Sequence, residues 1–294
     1  MKQAQLATLV GHHFDGASLT SCVKLTGGVS ADTWRLTIDR DGQAETLVVR
    51  IHGEHHSGHS AADEFAILDA LWRAGLPVPR PLAFDSDCQH IPWPCIFIGF
   101  VAGTTAMPAG DNAIVCMARQ LADIHRYQPE LDCLPQRCEP YPEMLDFLPE
   151  GPEWTPLTEQ LARQPPPAFS GIRCMLHGDY WPENILWHQN NISAVLDWED
   201  AAIGDALSDI ACCQLELRYR FGKPIMQAFL TAYQAERPTD MTHLPYWQIY
   251  VAAAAQKYMS LWRLPPEREA HMRSEALAMI REASEQLLAP PTKS

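Results

Sequence analysis

The chain has 294 residues, enough for one large domain or two modest lobes, and its 47% hydrophobic content is that of a soluble globular protein. A formal net charge of −14, from 36 acidic against 22 basic side chains, argues against the positive footprint that non-specific nucleic-acid binding needs. Nine cysteines without a CxxC pair, with Cys212 and Cys213 adjacent, indicate neither a zinc ribbon nor a disulfide framework and fit reduced thiols in a cytosol.

From the N-terminus, residues 1–11 lack the sustained apolar stretch and cleavage site of a secretory signal, and no run approaches the ~20 apolar residues of a membrane span. A cytoplasmic protein without membrane attachment is expected. Residues from about 18 to 101 read as strand-rich with one helix. There Gly27 and Gly28 lie in a turn between two strand-like runs, where the missing Cβ would let backbone amides approach phosphate oxygens. A plain hairpin turn has the same appearance.

Period-two alternation over residues 46–52 puts Leu47, Val49 and Ile51 on a core face and Val48, Arg50 and His52 on the other. A helix over residues 63–75, ended by Gly75 and Pro77, carries Glu64, Ile67, Leu68 and Leu71 at i, i+3, i+4 and i+7. An acid heading an apolar stripe calls for a cationic partner, and Arg50 is the candidate; a solvated first-turn glutamate is the other reading. Between this strand and helix, His52, His55, His56 and His59 read as a mobile, solvated loop near a nucleotide rather than a zinc or copper site. Residues 94–103 form an apolar strand running into a glycine-bearing connection that could offer backbone groups to an adenine ring.

The second half reads as mainly helical, with segments over 113–127, 207–219, 225–234, 246–262 and 267–288. Its aromatic stripe of Tyr246, Trp247, Tyr250, Tyr258 and Trp262 reads as core. Two proline-rich pieces, 148–152 and 164–167, read as ordered connections around a short helix. Set into this half is the densest signal of the chain, His177-Gly178-Asp179 followed by Asn184 and then by Asp197, thirteen residues further on. Residues 185–188 and 192–196 are β-prone, and Gln189-Asn190-Asn191 between them suits a tight turn, so Asn184 and Asp197 would meet at the open end of a hairpin. An amide and a carboxylate there suit Mg²⁺, which prefers hard oxygen ligands, and Asp179 on the entering loop suits a hydroxyl proton.

These residues resemble the aminoglycoside phosphotransferase family, relatives of the protein kinases, over about residues 24–211. The specific parts are His177-Gly178-Asp179 with Asn184, the run 195–199, and Gly204-Asp205 with Asp209. Gly27-Gly28, Arg50, Glu64 and the run 76–81 follow in matching order. The resemblance implies an α+β, bilobal protein-kinase-like fold, with a strand-rich nucleotide-binding lobe over 1–101 and a mainly helical catalytic and substrate lobe over 102–294. It implies transfer of the γ-phosphate of ATP, or of GTP in its place, with Mg²⁺, to a hydroxyl of a small molecule. Asp179 would orient or deprotonate that hydroxyl, Asn184 and Asp197 would bind Mg²⁺, and Gly27, Gly28 and Ser30 would cover the phosphates. Arg50 would contact the α- and β-phosphates and pair with Glu64, Gly99 and Val101 would meet adenine, and His177 and Asp209 would brace the loop. Arg50 stands where kinases generally have lysine, which motivates a second reading, a nucleotide-binding regulator without transfer activity. A metal-dependent hydrolase built on the histidine loop is a third.

Overall fold

Alternating apolar residues in the first third assemble one antiparallel sheet. The computed structural model describes residues 3–25, 31–54, 56–166 and 168–289. Helix α1 (Gln3–His13) precedes strands β1 (Ala17–Lys24), β2 (Ala31–Arg40) and β3 (Gln43–His52). Helix α2 (Ala61–Arg73) then leads to β4 (Pro81–Asp85) and β5 (Cys95–Gly99), and the sheet runs in the order β1-β2-β3-β5-β4. Leu47, Val49 and Ile51 enter the core on the face that alternation assigns them, against Leu36, Ile38, Phe97 and the α1 residues Leu6, Leu9 and Val10. Helix α1 is absent from the sequence reading, which weighed those residues only as a leader. Helix α2 starts at Ser60, whose hydroxyl accepts the Asp63 amide at 3.1 Å, and its stripe of Glu64, Ile67, Leu68 and Leu71 is buried.

Further along come α3 (Asp111–Arg126), β6 (Gln136–Arg137), α4 (Thr155–Arg163), β7 (Cys174–Leu176), the hairpin β8 (Ile185–His188) and β9 (Asn191–Val195), and β10 (Ala202–Gly204). Helices α5 (Ala206–Phe221), α6 (Lys223–Glu236), α7 (Leu244–Tyr258) and α8 (Pro266–Leu288) complete the chain. Trp154, Leu157, Leu215, Tyr219, Ile249 and Met279 share one helical core, drawn from α4, α5, α7, α8 and the turn before α4. Arg218 ties α5 to α8 through Glu275 at 2.7 Å and Glu282 at 2.9 Å. Trp247 lies in the core as expected, whereas Tyr258, at the end of α7, and Trp262, in the short 3-10 turn over Met259–Trp262 that follows, are exposed.

Strands β6, β10 and β7 form a three-stranded sheet that the sequence reading lacks, since strands of two or three residues are too short to show alternation. Gly204 is the tight point of that sheet. A Cβ there would lie 1.8 Å from the Arg137 carbonyl oxygen, an overlap only backbone movement relieves. Gly204→Ala is therefore expected to cost ~1–3 kcal/mol, read as a lowered urea midpoint at unchanged m.

The chain divides into two compact units. Met1–Ala106, Pro129–Cys133 and Asn184–Asp200 form the strand-rich one; Met107–Gln128, Leu134–Glu183 and Ala201–Ser294 form the helical one. The β8–β9 hairpin thus belongs with the N-terminal sheet, tied there by the Val195 amide on the Pro77 carbonyl at 2.7 Å and by a bridge between Trp187 and Thr104. Among the described residues no helix is long and apolar enough to cross a membrane.

Candidate active site

In the strand-rich unit the chemistry gathers around one guanidinium. Arg50, on β3, donates from Nη1 to Glu64 of α2 at 2.7 Å and from Nη2 to Asp197 at 2.7 Å and Glu199 at 3.3 Å. Burial opposes the charge on Arg50, but Glu64, Asp197 and Glu199 more than offset it and raise its pKa above the ordinary guanidinium value. Burial likewise pushes the Glu64 carboxyl up, while Arg50 and then the His52 hydrogen bond pull it below the usual range, so the buried pair stays ionised. The solvated-glutamate reading of Glu64 does not hold.

The histidine loop differs from the sequence expectation. His52 is buried and donates from Nε2 to the second Glu64 oxygen at 3.0 Å; its ring stacks on His56 at 3.8 Å between centroids. His56 in turn donates to the His59 carbonyl at 2.7 Å, and the His59 amide donates to the Glu199 carbonyl at 3.1 Å. His52 and His56 are members of a hydrogen-bonded cluster, not solvated side chains, because the Glu64 carboxylate and the His59 carbonyl supply the acceptors that make their burial tolerable. His55 lies outside the described residues. Among the described residues, no group of three or more His, Cys, Asp or Glu is placed to hold a metal.

Asn184 and Asp197 sit at the two mouths of the β8–β9 hairpin, bound to each other's strand by the Leu196 amide on the Asn184 carbonyl at 2.7 Å. The turn is shorter than expected: Gln189 and Asn190 alone form it, both at positive φ (50° and 62°), and Asn191 pairs with His188 as a strand residue. Two positive φ values give the twist that matches the strands. Asp197 also has φ 63°, an uncommon conformation for a side-chain-bearing residue and one found where a site imposes it. As donors for a divalent cation, the amide oxygen of Asn184 and the carboxylate of Asp197 are hard, and one guanidinium stands against the three carboxylates Glu64, Asp197 and Glu199. That surplus of negative charge fits a cation such as Mg²⁺, which needs only one or two protein carboxylates.

Two further sequence candidates concern the nucleotide. Gly27, Gly28 and Ser30 lie outside the described residues. Gly99 ends β5 with its amide donating to the Arg80 carbonyl at 2.7 Å, and Val101 lies two residues beyond.

In the helical unit, every link of the 177–180 loop is held. Asp209, wholly buried on α5, accepts from the His177 amide at 2.7 Å, the Gly178 amide at 2.9 Å and His125 Nε2 at 3.2 Å. Burial would raise its pKa, but the His125 bond and these amides hold it below the ordinary carboxylate value. Burial keeps His125 neutral, so with Nε2–H on Asp209 its Nδ1 accepts the Tyr233 hydroxyl at 2.7 Å. The Asp179 amide donates to His177 Nδ1 at 3.2 Å, Arg137 reaches the Gly178 carbonyl at 3.3 Å, and the buried Tyr180 hydroxyl donates to the Met117 carbonyl at 2.9 Å. Gly178 has φ 88°, which suits glycine. These bonds brace the loop around the half-buried Asp179. Beside it on α5, burial and then the charge of Asp179 push the Glu216 carboxyl up to about 8.

Sequence reasoning named Glu199 and Glu216 only as acids near the site, and it did not find His125 or Arg137. The one local signal for Glu199 is its alternate-position spacing from Asp197; His125 and Arg137 carry none, because their partners lie 84 and 41 residues away.

A strand-rich unit built around a buried cation–acid pair, with a helical unit mounting an aspartate on a braced loop, defines the protein-kinase-like fold of small-molecule phosphotransferases. Residues 21–245 match the family model described as "Phosphotransferase enzyme family", and the chain belongs to that family. A provisionally assigned aminoglycoside phosphotransferase of Ralstonia eutropha shares the fold with a TM-score of 0.72 at 18% identity, over 97% of this chain and 98% of that one. Choline kinase LicA from Streptococcus pneumoniae gives 0.65 at 16%, covering 95% and 99%. Aminoglycoside phosphotransferase APH(4)-Ia in ternary complex with AMP-PNP and hygromycin B gives 0.62 at 16%, covering 94% and 98%. Among curated proteins, Acyl-CoA dehydrogenase family member 11 of Mus musculus is 26% identical over 83% of this chain and 36% of its own length. Its Rattus norvegicus counterpart is 26% identical over 66% and 30%. The chain thus spans about a third of these relatives.

Proposed function

We propose that this chain is an ATP-dependent small-molecule kinase that transfers the γ-phosphoryl group to an acceptor hydroxyl. Supporting this is one observation above the rest: Arg50 is locked by Glu64 and reaches Asp197 with its other nitrogen. A cation anchored on Glu64 stands ready to hold α- and β-phosphate oxygens, and phosphoryl transfer depends mainly on such positioning and charge stabilisation. Asn184 and Asp197 would hold Mg²⁺, which when bound neutralises charge on the phosphate oxygens. Asp179 would accept or orient the hydroxyl proton from its braced loop. The γ-phosphorus–oxygen bond to the β-phosphate breaks as the acceptor oxygen bonds to phosphorus, and ADP leaves.

An ATP-consumption screen over diverse hydroxylated compounds, with aminoglycosides such as hygromycin B among them and Asp179→Ala as the blank, tests this. Consumption dependent on Mg²⁺, on one acceptor class and on Asp179 is the expected result. Thermal stabilisation by Mg²⁺ and ATP with no consumption across the panel would favour the regulator reading instead. That reading draws on the arginine at position 50, yet this arginine makes the acid pairing that a kinase requires of its cation.

A further inference from the structure

We propose that Glu199 is a positioning residue that takes Arg50 Nη2 from Asp197 when a divalent cation binds Asp197. This rests on the reading of Asp197 as a metal ligand. A single nitrogen, Nη2, is shared by the two acids, at 2.7 Å to Asp197 and 3.3 Å to Glu199, while Nη1 stays on Glu64 at 2.7 Å. Bringing a doubly charged ion onto Asp197 makes a guanidinium contact there a like-charge repulsion, strong because Arg50 is only 11% exposed. Nη2 must leave Asp197, and a buried donor without an acceptor is costly. Glu199 offers that acceptor at a short swing away, with no movement of the Glu64 pair.

The fold holds Glu199 ready for this. Its carbonyl accepts the His59 amide at 3.1 Å, and its carboxylate lies 3.6 Å from His56 Nδ1. Gly58 packs so close that a Cβ would fall 2.5 Å from the Glu199 Cβ. The histidine loop thereby becomes a clamp on the acid that receives Arg50. Arginine is needed for the exchange, because its planar fork keeps one nitrogen on Glu64 while the other changes partner; a lysine presents one point charge. Glu199 then acts on Arg50 and not as a third metal ligand.

The probe is Mn²⁺ alone, titrated into the full chain without nucleotide and read by water-proton relaxation, with circular dichroism to confirm folding of each variant. Glu199→Gln is expected to weaken Mn²⁺ binding ~10-fold in the native background and less than ~2-fold in an Arg50→Met background, where no guanidinium has to be moved. Gly58→Ala, which displaces Glu199 without altering its charge, should weaken binding in the same direction and show the same dependence on Arg50. An equal loss in both backgrounds would make Glu199 a direct ligand and overturn the exchange; no loss in either would overturn it as well. Mn²⁺ binding that Asp197→Asn leaves untouched would instead overturn the metal-ligand reading beneath it.

Discussion

Asp179→Asn is expected to lower kcat by roughly 10²–10⁴-fold while the affinity for Mg·ATP stays within ~2-fold of native. Asparagine keeps the size and the hydrogen-bonding reach of the side chain but cannot take a proton. The loop carrying it is held by the Asp209 carboxylate, the His177 ring, Arg137 and the Tyr180 hydroxyl, all of which asparagine at 179 leaves in place. Loss of rate with retained nucleotide affinity is therefore separable from misfolding. Single-turnover transfer and nucleotide titration on one preparation check it. An equal rise in KM with unchanged kcat would make Asp179 a binding residue and not the base.

Asp209→Ala should be among the most destabilising substitutions in the chain, at about 3–5 kcal/mol, because it strands two backbone amides and a buried imidazole at once. Its carboxylate is 0% exposed and accepts from His177, Gly178 and His125. The pH dependence follows from the direction of its pKa. The folded-state value lies below the unfolded one, so its contribution is complete above the unfolded value of ~3.9 and disappears as pH falls through the folded value. Urea unfolding of native and variant chains should show the full stability gap near neutrality and a narrowing gap in acid. A gap that widened as pH dropped would mean the buried carboxyl is protonated in the fold. Activity should fall with stability, since the two amides it holds belong to the loop carrying Asp179.

The legible parts of this molecule share a cause: local periodicity or a fixed short spacing. Arg50 and Glu64 could be matched because one sits on the non-core face of an alternating strand and the other heads an apolar helical stripe, with a single loop between them. The hairpin placing Asn184 near Asp197 was readable for the same reason, though its turn is one residue shorter than the sequence implied. Long-range partners left no such trace. His125 meets Asp209 across 84 residues, and nothing around either position distinguishes a buried hydrogen-bonded histidine from an exposed one. Strands β6, β7 and β10, of two or three residues each, exist through pairing alone. The histidine loop was misread because clustered polar side chains next to glycine and serine look solvated until Glu64 and Glu199 are seen to face them.

The fate of the γ-phosphorus decides between a kinase and a nucleotide-binding relative that performs no transfer. Phosphorus NMR of Mg·ATP mixed with the full chain and pooled hydroxylated acceptors would follow it directly. The expected spectrum shows the γ resonance replaced by a phosphomonoester signal as ADP accumulates, with no such signal from the Asp179→Asn chain. Bound, Mg²⁺-dependent ATP that gives only inorganic phosphate, or no change, with every acceptor pool would contradict phosphoryl transfer to a hydroxyl.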